Sequence, residues 1–260
     1  MKLNIVPAGT GKLWVRLGIR TFLRQPLAMS GLFFLFMAVI SVIGMIPYVG
    51  SVLSLTLLPA ATLGLMAATR ETTLGNFPMP TLLVTAFRAE RSQARAMLML
   101  GVLYAVSILL VLGISTLIDG GKFAKLYLMG GALSPELLQG TEFQMATLVA
   151  LALYLPLSMA FWHAPALVHW HGVPAVKSLF FSLVACVRNF WAMVVYSLLW
   201  GAVTVSVITL VTVLGATLGG SELVGTLIFP TALLLVAMFF TSMYFTFRDS
   251  FDEQDPKELP

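Results

Sequence analysis

All three histidines of the chain fall in one run of nine residues, His163, His169 and His171, inside Phe161-Trp162-His163-Ala164-Pro165-Ala166-Leu167-Val168-His169-Trp170-His171-Gly172. Neutral imidazoles are common metal ligands, so three of them this close could supply a three-nitrogen site. Helical spacing works against that chemistry. Residues eight apart share a face, which pairs His163 with His171, while His169 points elsewhere. A metal would need the chain to break near Pro165 or Gly172, and no carboxylate is close in sequence to orient the rings. The other reading is an aromatic belt, in which Trp and His settle at headgroup depth at the cytoplasmic end of an apolar span. The sequence leaves both open; the expectation is no resident metal and no cofactor.

Other catalytic patterns are absent. No phosphate-binding loop, G-x-S-x-G elbow or H-E-x-x-H pair occurs, and no paired carboxylates lie within an apolar run. The expectation is a non-enzymatic protein. The second chemically informative pattern is cationic. Lys12, Arg16, Arg20 and Arg24 recur at four-residue steps, with Leu13, Trp14, Val15, Leu17, Ile19, Phe22 and Leu23 between them. On a helix this makes a basic stripe beside an apolar face, the pattern of a helix lying in the lipid headgroup plane. Arg88, Arg91 and Arg95 repeat the design across residues 81–95, and Lys177 and Arg188 do so more weakly across residues 173–188.

The elements between these groups are dictated by composition. The 260 residues are 59% apolar and 10% charged, with a mean hydropathy of +0.96. A soluble domain carries about 25% charged residues, so this chain cannot wet a folded surface in water. That excludes a soluble enzyme, a disulfide-stapled secreted domain and a disordered protein, and leaves an all-α polytopic membrane bundle. The single cysteine, Cys186, cannot form an intrachain disulfide. The net charge of +4 is no nucleic-acid signal, because the cations flank apolar runs and suit anionic lipid instead.

Arg24 and Arg70 bracket 45 residues without a charge. As one helix these would reach roughly 68 Å, against a hydrocarbon core of about 30 Å. Pro47-Tyr48-Val49-Gly50 therefore reads as the turn of a two-span hairpin. The same arithmetic predicts six spans: residues 26–46, 50–69, 96–118, 143–167, 191–213 and 223–247. With the N-terminus inside, 13 Lys and Arg fall on the cytoplasmic side and only Lys122 and Lys125 outside. Both termini are then cytoplasmic. The first span, at about 21 residues, exceeds a signal-peptide core and reads as retained.

The spans carry a pattern of their own. Junctions such as Arg24-Gln25-Pro26-Leu27-Ala28-Met29 and Arg188-Asn189-Phe190-Trp191-Ala192-Met193 recur, and Pro59, Pro156 and Pro230 each follow a bulky apolar residue in every second span. This suggests a threefold repeat of interfacial helix plus hairpin, with coincidence in an apolar alphabet as the competing account. Such copies run parallel, unlike the inverted repeats of many transporters. In the outer loop, Lys122–Met129 is helix-capable, and Ser134-Pro135-Glu136 reads as an N-cap with proline at the first helical position. Residues 1–248 read as one membrane domain, and the acidic residues 249–260 as a disordered tail.

The run Phe161–Asn189, with W-V-R-L-G-I-R-T-F-L-R-Q-P-L at Trp14–Leu27 and M-Y-F-T-F-R-D-S-F near the C-terminus, resembles an uncharacterised family of β-proteobacterial inner-membrane proteins. The resemblance covers nearly the whole chain. It implies six spans, a non-enzymatic protein and no transferable functional residues. More distantly, P-A-L-V…S-L-F-F-S…R-N is similar to the membrane domain attached to some glycerophosphodiester phosphodiesterases. The soluble catalytic domain and its carboxylates are missing, so that activity is not implied.

Function then reads as structural or lipid-interacting. Lys12, Arg16, Arg20, Arg24, Arg88, Arg91 and Arg95 would meet anionic headgroups of the cytoplasmic leaflet, each contributing about 1 kcal/mol near such a surface. The alternative is a transporter or channel for a small or lipidic substrate, lined by the proline-bearing spans. Protein partners are not legible. The orientation is checked by fusing a reporter enzyme at Gly121: one that works only outside the cytosol is expected to be active there.

Overall fold

The computed structural model describes residues 2–131 and 134–251, and these form helices joined by short turns without a strand. In order they are α1 (Thr10–Arg24), α2 (Pro26–Gly44), α3 (Gly50–Thr73), a 3-10 turn (Pro80–Val84), α4 (Thr85–Arg88), α5 (Arg91–Asp119), α6 (Lys122–Met129), α7 (Pro135–Gln139), α8 (Thr141–Trp162), α9 (Ala164–His171), α10 (Ala175–Arg188) and α11 (Phe190–Phe251). Five helical stretches are long and apolar enough to cross a membrane: Pro26–Gly44, Gly50–Thr73, Arg91–Asp119, Thr141–His171 and Phe190–Phe251. Their outer faces are bulky and apolar. Leu27, Leu117 and Leu218 are 89%, 86% and 79% exposed, a surface that water would penalise and hydrocarbon would not.

The last stretch is 62 residues long but is not one rod. Gly220 leaves helical geometry at φ 70° and ψ −163°, a backbone state in which a side chain would be strained. Tyr196 Oη lies 2.6 Å from Ser242 Oγ, although the two are 46 residues apart. In a straight helix they would be separated by roughly 69 Å. The chain therefore folds back on itself, with Gly215 and Gly219 against Val224 and Leu223. At the other predicted turn, residues 45–49 leave the helix, Tyr48 takes φ 65°, and Ser54 Oγ donates to Ile40 O at 3.0 Å.

Where the sequence reads as a single domain, the chain forms two compact units, and α2 and α3 each contribute to both. Among the described residues the first comprises 2–37, 62–85 and 184–251. Its centre is α1 seated on α11. Trp14, Val15, Gly18, Thr21 and Phe22 are buried, and a Cβ at Gly11 or Gly18 would collide with the Ala192 carbonyl or with Ser242. Trp14 meets Tyr196 edge to face, and Trp200 Nε1 donates to Ser242 Oγ at 3.1 Å. Phe33, Phe36 and Phe240 continue the packing.

The second unit comprises residues 38–61 and 86–183. Here α5 packs on α6, α8 and α9 around Leu55, Ala105, Ile108, Leu112 and Ala124. Gly101 gives α5 room against the Thr56 carbonyl, and Tyr104 meets Phe161 at 5.0 Å between ring centres. The short helices α6 and α7 are present where the sequence predicts them. Asp119 ties the start of α6, its carboxylate accepting from Gly121 N (2.8 Å) and Phe123 N (2.6 Å), and Ser134 Oγ accepts from Leu137 N at the start of α7. The prediction for this fold concerns the glycine seat of α1. Gly18→Leu is expected to lower the detergent-solubilised melting temperature by several degrees, as overpacking costs about 1–3 kcal/mol, whereas the same change at Gly31, which has open space around it, is expected to have little effect.

Candidate functional site

The sequence places a helix at residues 10–24, and α1 is that helix, with Lys12, Arg16, Arg20 and Arg24 all exposed along one side. Its apolar face differs from expectation in what it meets. An isolated interfacial helix would bury Trp14 and Phe22 in lipid, but both are covered by protein, at 0% and 2% exposure. Amphipathic spacing specifies an apolar neighbour without saying which, and Gly11 and Gly18 make α11 able to come closer than lipid chains could. The result is a fixed cationic edge. Among the described residues none of the four cations makes an ion pair.

Beside that edge lies an open groove of about 600 Å³. Lys12, Arg16, Arg20 and Arg24 stand along it, and Val15, Ile19, Leu23, Leu199 and Val203 supply its apolar wall. Sequence reasoning found the cations and missed the wall, because Leu199 and Val203 come from a helix some 180 residues later.

The second basic group is arranged otherwise than predicted. Residues 81–95 do not form one interfacial helix: they comprise part of the 3-10 turn, the four-residue α4, a break at Glu90 and the start of α5. Pro78 and Pro80 cannot donate within a helix, and Glu90 sits in extended geometry before Arg91. Arg88 thus ends α4, while Arg91 and Arg95 lie one turn apart at the start of α5, all three exposed. The third segment is a helix, α10, whose buried side is made of small residues, Ala175, Ser178, Ser182 and Ala185, with Val176 and Phe180 outward.

The histidine run breaks at both places a metal site would require, at His163 before Pro165 and at Gly172, which takes φ 64°. The breaks do not gather the rings. Among the described residues no three His, Cys, Asp or Glu side chains are placed to hold a metal ion. His163 departs from the belt reading as well: it is buried, and its backbone N–H donates to Ser182 Oγ (2.9 Å), whose own hydroxyl donates to Met159 O (2.7 Å). Only His169 and His171 keep the partial exposure that a belt position needs.

A polar cluster that the sequence did not suggest closes the first unit. Asp249 lies inside α11, not in a tail, and the helix continues to Phe251; the rest of the predicted tail lies outside the described residues. Its Oδ2 accepts from Trp14 Nε1 at 2.8 Å and its Oδ1 from Arg248 Nε at 2.9 Å, with the Arg248 guanidinium over the Phe245 ring. Alongside, Asn189 Oδ1 accepts from Val6 N (2.9 Å), Asn189 Nδ2 donates to Asn4 O (3.1 Å), and Asn4 N donates to Ser250 O (2.9 Å). Asp249 is recoverable only from the pairing of a buried indole with an acid at long sequence range. Its removal leaves the Trp14 and Arg248 donors without that acceptor, so Asp249→Ala is expected to destabilise the solubilised protein by about 1–3 kcal/mol in a thermal or denaturant melt.

Burial also pushes the Cys186 thiol up to about 12. Alkylation proceeds through the thiolate, so Cys186 is expected to resist maleimide at pH 7–9 in native membranes and to react fully once unfolded, read by mass shift.

The comparisons with known proteins bear on this geometry. The chain is 43% identical over 210 residues to a probable inner membrane protein of Burkholderia thailandensis, an alignment spanning 80% of this chain and 78% of the relative. No family model matches the chain, and no solved structure matches it.

Proposed function

The chain belongs to the family of that Burkholderia thailandensis inner-membrane protein, and from that premise we propose a six-span, non-enzymatic protein that holds anionic lipid at the cytoplasmic surface through the basic edge of α1. The sixth span of this reading counts the two arms of α11 separately, 190–219 and 221–251, and the non-helical Gly220 and the Tyr196–Ser242 contact support it. Both termini then share the cytoplasmic side, with Arg88, Arg91 and Arg95 on that side too.

The observation that carries the reading is the exposure of Lys12, Arg16, Arg20 and Arg24 on a helix whose other face is locked against protein. Cations that make no ion pair among the described residues attract anions. In a membrane the densest anions are lipid phosphates, and each Lys or Arg near them contributes about 1 kcal/mol within a Debye length. Arg91 and Arg95 add to this at the N-terminal end of α5, where the helix dipole is also positive.

The transporter alternative has its own observation in Pro59, Pro156 and Pro230, each inside a long helix. The cavity between the arms of α11, about 200 Å³ and bordered by Trp200, Ile208, Leu235, Val236 and Phe239, suits hydrocarbon better than a hydrated ion.

The test replaces Lys12, Arg16, Arg20 and Arg24 together by Gln. The purified variant is expected to carry severalfold less anionic phospholipid than wild type, by phosphorus and headgroup analysis of co-purified lipid, with its melting curve in neutral detergent little changed. An unchanged lipid profile would refute the proposal.

A further inference from the structure

The groove beside α1 combines a cationic border with an apolar one. One border is a row of cations rising about 6 Å per step, as four residues of helix require. The other is a continuous apolar wall to which two helices contribute, with Val15, Ile19 and Leu23 from α1 and Leu199 and Val203 from α11. Leu199 and Val203 lie one turn apart on a spanning helix, so a chain laid on them runs along the span into the hydrocarbon. At about 600 Å³ the groove is within the ~300–1,000 Å³ typical of small-molecule sites.

We infer that this groove is a specific site for one anionic glycerophospholipid, its phosphate on the Lys12–Arg24 edge and an acyl chain along Leu199 and Val203. Charge complementarity selects the occupant. A zwitterionic lipid would bring its own ammonium against four cations, a detergent would leave them uncompensated, and a soluble phosphate would leave the apolar wall wet. The inference deepens the headgroup reading and rests on it, but asks for more: a single retained molecule, held by its tail as well as its head.

The test uses the full-length protein, delipidated in neutral detergent and titrated with phosphatidylglycerol or phosphatidylethanolamine, with bound lipid counted by native mass spectrometry. One phosphatidylglycerol is expected to bind at least tenfold more tightly than phosphatidylethanolamine, and glycerol phosphate is expected not to displace it. Leu199→Trp with Val203→Trp fills the wall without touching a charge. That variant is expected to lose the single retained lipid by about tenfold while keeping its general preference for anionic bilayers. A photoactivatable phosphatidylglycerol provides the second readout, with crosslinks expected near residues 199–203 in wild type.

Neutralising the four cations is expected to abolish both behaviours. Lipid retention that survives filling the wall but not neutralising the cations would remove the groove site and leave the headgroup reading standing. Indifference to both changes would remove both. Equal binding of phosphatidylethanolamine would overturn the inference, as would a more than tenfold gain in phosphatidylglycerol affinity on ending the chain at Phe251, since the acidic residues beyond it would then be the edge's own partner.

Discussion

Close seating of α1 against α11 governs what the rest of the first unit can present. Two glycines, Gly11 and Gly18, remove the Cβ atoms that would hold the helices apart, and Trp14 fills the space so opened, with its indole N–H satisfied by Asp249. A buried carboxylate is costly unless its acceptor positions are used, and here two donors from two directions use them. Once α1 is fixed in rotation by these contacts, its cations have only one direction left to face. The basic edge is therefore a consequence of packing as much as of residue choice.

In hydrocarbon the hydrophobic effect gives helices no reason to prefer each other over lipid, so close packing and hydrogen bonds must decide which faces meet. The buried faces follow that rule. Ala175, Ser178, Ser182 and Ala185 on α10, Gly101 on α5, and Ser242 beneath Tyr196 and Trp200 are small or hydroxyl-bearing. Larger side chains such as Phe33 and Leu112 are buried as well, while other Leu, Val and Phe residues remain exposed.

These facts explain which parts of the structure were legible from the residues alone. Charge-free length located the long apolar helices, and Pro47 with Gly50 located a turn, because both are local consequences of bilayer thickness and backbone sterics. The caps at Ser134 and Pro135 were equally local. Illegible were the features that depend on a distant partner. Amphipathicity in α1 did not say whether Trp14 would meet lipid or protein. The stripe pattern across residues 81–95 ignored the break that Glu90 introduces. A run of acids after Phe247 looked like a tail, although its first member, Asp249, is the hydrogen-bond partner of a tryptophan 235 residues earlier. Of the groove beside α1, the cationic half was readable as a four-residue period, and the half built by Leu199 and Val203 required the fold.

The tie between α1 and α11 also imposes an order on biosynthesis. Asn4 and Trp14 bond to Ser250 and Asp249, which are made 246 and 235 residues after them. At ~5–20 residues per second, α1 is complete roughly 10–45 s before its partner emerges from the ribosome. During that interval Trp14 has no acid to meet. Final assembly then becomes a closing event: the hairpin of α11 draws the waiting helix onto itself, and a chain truncated before Asp249 would dock α1 without the acceptor of its buried indole.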